Sequence, residues 1–178
     1  LSSSIRCFLF ILLQNYGVTI SPELSCQQIK KLYSPIELLI HGDLIIMTSE
    51  SCIFGNINAE GCPDNCHNYC QRDNYFLRDS KGYRFPLATD TECRFYVFNS
   101  RTLSLLNDLP VLISLADRFR LDFYRHDTHQ IKAIVRIYRE VFNRILAGEK
   151  FDLNEYKNQL IKYSPSAFTR GHYFRGVE

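Results

Sequence analysis

The sequence predicts an α/β fold of strand–helix units, interrupted by a cysteine-rich insertion that contains a β-hairpin. Three observations carry the prediction. Short β-branched and aliphatic runs precede helical stretches at three places, the pattern of parallel β/α units. The longest helical stretch repeats its apolar residues at helical spacing. Five of the 7 cysteines, Cys52, Cys62, Cys66, Cys70 and Cys93, fall between the second strand and the stretch that follows it, spaced C-x9-C-x3-C-x3-C-x22-C.

In the first unit, Val18-Thr19-Ile20 is a β-branched run, Ser21-Pro22-Glu23 breaks it, and Ser25 is placed to cap a helix through about Leu32. In the second, Ile36 to Ile40 reads as a buried strand ending in His41-Gly42. Its helix region is expected over 102–115, with Pro110 inside. Between the two lies an insertion of roughly 55 residues, far longer than an ordinary connection. Within it, Tyr75-Phe76-Leu77, Ser80-Lys81-Gly82 and Tyr83-Arg84-Phe85 signal a hairpin. The third strand is Phe119 to Phe123. Asp127 or Thr128 then caps a helix that runs to Ala147 and stops at Gly148, with Ile131, Ile134, Ile137, Tyr138, Val141, Phe142, Ile145 and Leu146 on its apolar side. A last helix, Asn154 to Tyr163, precedes a tail rich in Arg, His, Tyr and Phe. Three units are too few to close an eight-stranded barrel, so the sheet is open or the chain is a fragment.

Composition sets limits. With 178 residues, 46% apolar and 22% charged, the chain has the make-up of a globular domain. Its 11 Tyr and 13 Phe are enough for a core without covalent staples. A net charge of +2 does not by itself argue for nucleic acid. The run from Arg6 to Leu13 lacks a following cleavage site and is too short to span a bilayer. We expect a cytoplasmic protein with no membrane association, in which disulfides are disfavoured, and the odd number of cysteines points the same way.

The cysteine spacing leaves three readings open. An iron–sulfur cluster needs four thiolates and tolerates irregular spacing. Zinc sites usually show paired knuckles, which are absent here. Redox-active or idle thiols are the third. Elsewhere, Arg120 and Asp122 alternate with Phe119, Leu121 and Phe123, so the two charges share one face of a strand. Arg120 suits a carboxylate or phosphate, and Asp122 a base. His41, at the end of its strand, is a candidate proton donor, with a structural role as the competing reading. Lys162, Arg170, His172 and Arg175, interleaved with Tyr163, Phe168, Tyr173 and Phe174, suit either RNA contact or closure of the fold. No G-x-S-x-G, phosphate-binding loop, dinucleotide fingerprint or H-E-x-x-H pattern occurs.

Several stretches together resemble peptidase family U-32, the collagenase-like peptidases. They are Ser21-Pro22-Glu23-Leu24, Glu37 to Ile45, Glu50-Ser51-Cys52, Phe85-Pro86-Leu87 running to Cys93-Arg94, Phe98-Asn99-Ser100 with Leu103, Ala147-Gly148, and Thr169 to Glu178. The resemblance covers residues 17–178, and residues 1–16 match poorly. It implies the C-terminal part of a (β/α)-barrel-like domain with a cysteine-bearing insertion at about 43–100. Relatives in the family carry a four-iron, four-sulfur cluster and hydroxylate a base in tRNA or rRNA, or a ubiquinone precursor, without oxygen, with prephenate implicated as a hydroxyl source. Others are named peptidases. The resemblance assigns Cys52, Cys66, Cys70 and Cys93 as cluster ligands, with Cys62 as an alternate; the spacing by itself keeps zinc as the alternative metal. It also implies a missing N-terminal barrel half or partner subunit, and so raises the reading of an inactive or structural fragment. The chain departs from the family at Ile45, where the first signature cysteine would stand, and at Glu50, where a glycine would. Arg120-Leu121-Asp122-Phe123-Tyr124 replaces a Lys-x-Glu-Gly-Arg stretch.

Overall fold

The computed structural model describes residues 17–33, 35–51, 70 and 72–175. In chain order the elements are β1 (Val18–Thr19), α1 (Cys26–Ile29), β2 (Ile36–Gly42), β3 (Ile45–Ser49), β4 (Phe76–Arg78), β5 (Arg84–Thr89) and β6 (Phe95–Phe98). They continue with β7 (Thr102–Ser104), a 3-10 turn (Leu106–Asp108), α2 (Leu109–Leu112), β8 (Arg118–Leu121), α3 (Thr128–Leu146), α4 (Leu153–Ile161) and β9 (Phe168–Thr169). The protein is mixed α/β and divides into two compact units, Leu1–Gly42 with Leu103–Glu178, and Asp43–Thr102.

The first unit is organised around β2. On one side it pairs in parallel with β8, Leu38 opposite Phe119. On the other it pairs in parallel with β1 near its start, Val18 opposite Ile36, and antiparallel with β7 at its end, Gly42 opposite Leu103. β9 lies beyond β7. Flanked along its whole length, β2 reads as an almost unbroken apolar run, because a central strand is covered on both faces. Among the described residues the sheet does not close into a barrel.

Helix α3 begins where a capping box forms: the Asp127 side chain accepts from the Gln130 amide, and the Gln130 side chain accepts from the Asp127 amide. It ends at Ala147, and Gly148 takes a left-handed φ of 68°. Ile134, Ile137, Tyr138 and Val141 form its buried stripe. They join Leu38, Ile40, Leu103, Leu105, Leu106, Leu109, Leu112 and Leu160 in the core. Each such aliphatic side chain contributes about 1.5–3 kcal/mol relative to exposure.

The observed ends differ from the sequence expectation in instructive ways. Region 102–115, expected to be helical, opens as strand β7, because its backbone pairs with the end of β2; Pro110 then falls in the first turn of α2, where no amide hydrogen is needed. Helix α1 ends at Ile29, short of Leu32, since the Lys31 and Leu32 amides reach back only three residues, to Gln28 and Ile29. β8 stops at Leu121, and α4 runs from Leu153 to Ile161.

The second unit is a four-stranded antiparallel sheet of order β3–β6–β5–β4. Phe95, Val97 and Phe98 supply its buried apolar side chains. Asp43 and Thr102, its first and last residues, are joined by a buried hydrogen bond in which the Thr102 hydroxyl donates at 3.2 Å. The β4–β5 turn is held by Asp79, whose carboxylate accepts from the Lys81 and Tyr83 amides, and by Gly82 at φ 84°. The β5–β6 turn is held in the same way by Asp90, which accepts from the Glu92 and Arg94 amides.

Candidate functional site

Two neighbouring settings arise where β2 and β8 end. The first is a polar face. Arg120 Nη2 donates to Asp122 Oδ2 at 2.7 Å, and Arg120 Nη1 lies 3.9 Å from Glu37 Oε1 on the adjacent strand. The Thr19 hydroxyl on β1 donates to the same Glu37 oxygen at 2.7 Å. The hydrogen bond that Arg120 donates to Asp122 holds its guanidinium firmly charged, against the opposing effect of burial. Arg120 Nε is buried and has no hydrogen-bond partner among the described residues. One arginine between two carboxylates has its charge fully compensated, so this face is suited to orienting a polar substrate that donates hydrogen bonds to Glu37 and Asp122.

Glycine is required to bring these strands together. Gly42 sits at φ 142°, and a Cβ there would lie 2.5 Å from the Asp122 carbonyl oxygen. The Asp122 amide donates to the His41 carbonyl at 2.9 Å, which locks the end of β8 against β2.

The second setting surrounds His41, which is completely buried. Strict alternation would put His41 on the face of Glu37 and Leu39. The pairing register shifts between Leu39 and His41, so that His41 stands opposite Leu121 instead of on the face of Arg120. Leu121 shares its face with Phe119, which packs on Phe142 of α3 at 4.8 Å. His41 therefore meets Tyr138 of α3, with ring centres 5.5 Å apart, and Phe123, His126 and Phe168 at 6.0, 5.9 and 6.2 Å. The Tyr138 hydroxyl lies 3.4 Å from His41 Nδ1, 3.3 Å from the Ile40 carbonyl and 3.1 Å from the Ser104 hydroxyl. Burial pushes the Tyr138 phenol well above its ordinary pKa, so it stays neutral.

The structure thus joins Arg120 and Asp122 directly and turns His41 to the opposite face. Glu37 and Thr19 complete the polar face, and Tyr138 and His126 the histidine's surroundings; sequence reasoning assigned no chemistry to these four. A lone carboxylate inside an apolar strand was the available signal for Glu37. His126 sits in a turn before a helix cap and carried none.

Of the clustered cysteines, Cys52, Cys62 and Cys66 lie outside the described residues. Cys70 is half-buried and Cys93 exposed, both in the second unit. Cys93 occupies the left-handed position, φ 60°, of the β5–β6 turn, where its amide donates to the Asp90 carbonyl. A non-glycine residue there is uncommon. No disulfide joins the described cysteines, and no three His, Cys, Asp or Glu side chains among the described residues gather as a metal site. Soft thiolates are the donor type that iron–sulfur clusters and zinc both accept.

In the tail, Arg170 donates two hydrogen bonds to Asp108 and stacks on Phe174, with 3.8 Å to the ring centre. The Tyr173 ring is buried, and its hydroxyl donates to the Leu39 carbonyl. Among the described residues no helix is long and apolar enough to cross a membrane.

The model of peptidase family U32 matches residues 13–178. A protein described as an uncharacterized protease of Methanocaldococcus jannaschii is 23% identical over 173 residues, covering 90% of this chain and 42% of that protein. The chain therefore spans about two-fifths of the length of this relative. A search of solved structures finds no significant match.

Proposed function

Because the chain belongs to peptidase family U32, we propose that it is the C-terminal part of a β/α-barrel protein that holds an iron–sulfur cluster and acts in oxygen-independent hydroxylation of a tRNA or rRNA base. The observation that carries this reading is the concentration of five cysteines within one stretch of sequence, from Cys52 to Cys93. Cys52, Cys66, Cys70 and Cys93 are the proposed ligands, and Cys62 is the alternate. Four thiolates are what a four-iron cluster takes, and when bound it supplies electron transfer. Arg120 and its two carboxylates then serve substrate binding: Glu37 and Asp122 accept hydrogen bonds from a polar substrate, and Arg120 keeps them in place. The open outer edge of β8, which pairs only with β2 among the described residues, supports completion of the sheet by further strands. Those strands would come from an N-terminal barrel half or a partner subunit, in a cytoplasmic setting that leaves the thiols reduced.

Anaerobic purification, visible absorption and assays for iron and sulfide test the cluster. Broad absorption that is lost in Cys70→Ser and Cys93→Ser is expected; a colourless protein holding stoichiometric zinc sinks the proposal. The substrate is tested by mass spectrometry of nucleosides from cells with and without the gene. One nucleoside is expected to lose the mass of an oxygen atom when the gene is removed.

The description of the relative as a protease favours peptide hydrolysis as a second reading. Hydrolysis that survives both chelation and Cys52→Ser would support it over the first.

A further inference from the structure

A recess of about 380 Å³ lies in the first unit and shares no lining residue with the polar face of β8. Ser104 of β7, Asp108 of the 3-10 turn, Lys157 of α4, Phe168 and Thr169 of β9, and Arg170 line it. Its size is that of a small-molecule site. The charged groups are unevenly committed. Asp108 is fully engaged by Arg170, with Nε donating to one carboxylate oxygen at 2.9 Å and Nη2 to the other at 2.5 Å. That leaves Arg170 Nη1 with no partner among the described residues. Lys157 is half-buried and makes no ion pair or hydrogen bond among the described residues. The lining therefore carries one uncompensated positive charge beside two hydroxyls, those of Ser104 and Thr169, and an aromatic wall, Phe168.

We infer that this recess binds a small molecule bearing an oxyanion, a phosphate or a carboxylate, with the Lys157 ammonium as its counter-charge and Phe168 against its carbon skeleton. A compact ammonium suits an oxyanion as a point charge, and a neighbouring hydroxyl can donate a second bond. Ser104 links the recess to the interior. Its hydroxyl bonds to Tyr138, which in turn approaches His41 Nδ1. Tyr138 also donates to the Ile40 carbonyl, whereas Thr169 accepts from the Gly171 amide and keeps its own hydroxyl proton for the ligand. The site is independent of the cysteines and goes beyond the proposed hydroxylation.

The test titrates the full chain at low salt with inorganic phosphate in one arm and acetate in the other, followed by amide chemical shifts. Saturable shifts at Ser104, Lys157 and Thr169 are expected, and the arm that saturates first identifies the oxyanion. Lys157→Gln is expected to weaken binding about tenfold or more, since a charge-assisted bond is lost. Lys162→Gln, at the exposed C-cap just past the same helix, is expected to leave binding unchanged. Shifts confined to the exposed Lys132 and Arg136 of α3, no saturation by either probe, or equal weakening by both glutamine variants would overturn the inference. The wild-type shift map decides the matter even if a variant does not fold.

Discussion

At the scale of single residues, the glycine at position 42 has the most demanding environment. Its φ of 142° and the approach of the Asp122 carbonyl leave no room for a methyl group. Gly42→Ala is expected to destabilise the chain by about 1–3 kcal/mol from backbone strain alone, with the clash adding to it. Urea unfolding checks this; an unchanged midpoint would mean that β8 is not held as described. Arg120, by contrast, was recognisable from sequence as a candidate, but its partner Glu37 was not. The two lie 83 positions apart, and only strand pairing brings them to 3.9 Å. His41 was legible as the end of a strand, yet its direction was not. A single register shift reversed the face that alternation predicts.

Among the elements, the β5–β6 turn makes a prediction about acid. Asp90 Oδ2 accepts from Arg94 Nε at 2.7 Å and from the Tyr96 hydroxyl at 2.8 Å, while Oδ1 accepts two backbone amides. Burial alone would raise the Asp90 pKa, but the bonds from Arg94, Tyr96 and the turn amides outweigh it and lower it from 3.8 to about 2. The folded carboxyl is therefore the stronger acid. Its contribution to stability is fully present above pH 3.8 and is lost as pH falls through about 2. Asp90→Asn should lower the melting temperature of the second unit at neutral pH, and the gap to the native protein should close between pH 4 and pH 2. A gap that persists at pH 2 would assign the effect to turn geometry instead of charge. The hairpin and the Asp127 cap were both readable in sequence, because turn and cap chemistry is local. Strand β7 was not, since three residues become a strand only by pairing with one already in place.

Over the whole molecule, β2 and β8 should differ in protection. β2 is flanked on both sides, whereas β8 has a neighbour only on one among the described residues. In hydrogen exchange, the β2 amides are expected to exchange only on global unfolding, and the outward amides of β8 much sooner. Equal protection would show that another strand or a second copy already covers that edge. The sequence by itself determined the α/β class, the caps of α1 and α3, the hairpin, the crowding of cysteines into one stretch and the family, since each depends on near neighbours or on residue order. Only the tertiary structure decided that Glu37, Arg120 and Asp122 share a face, that His41 is enclosed with Tyr138, and that Ser104 and Lys157 line one recess. Those groupings depend on register and long-range pairing, and contacts between distant residues leave no periodic trace in the chain.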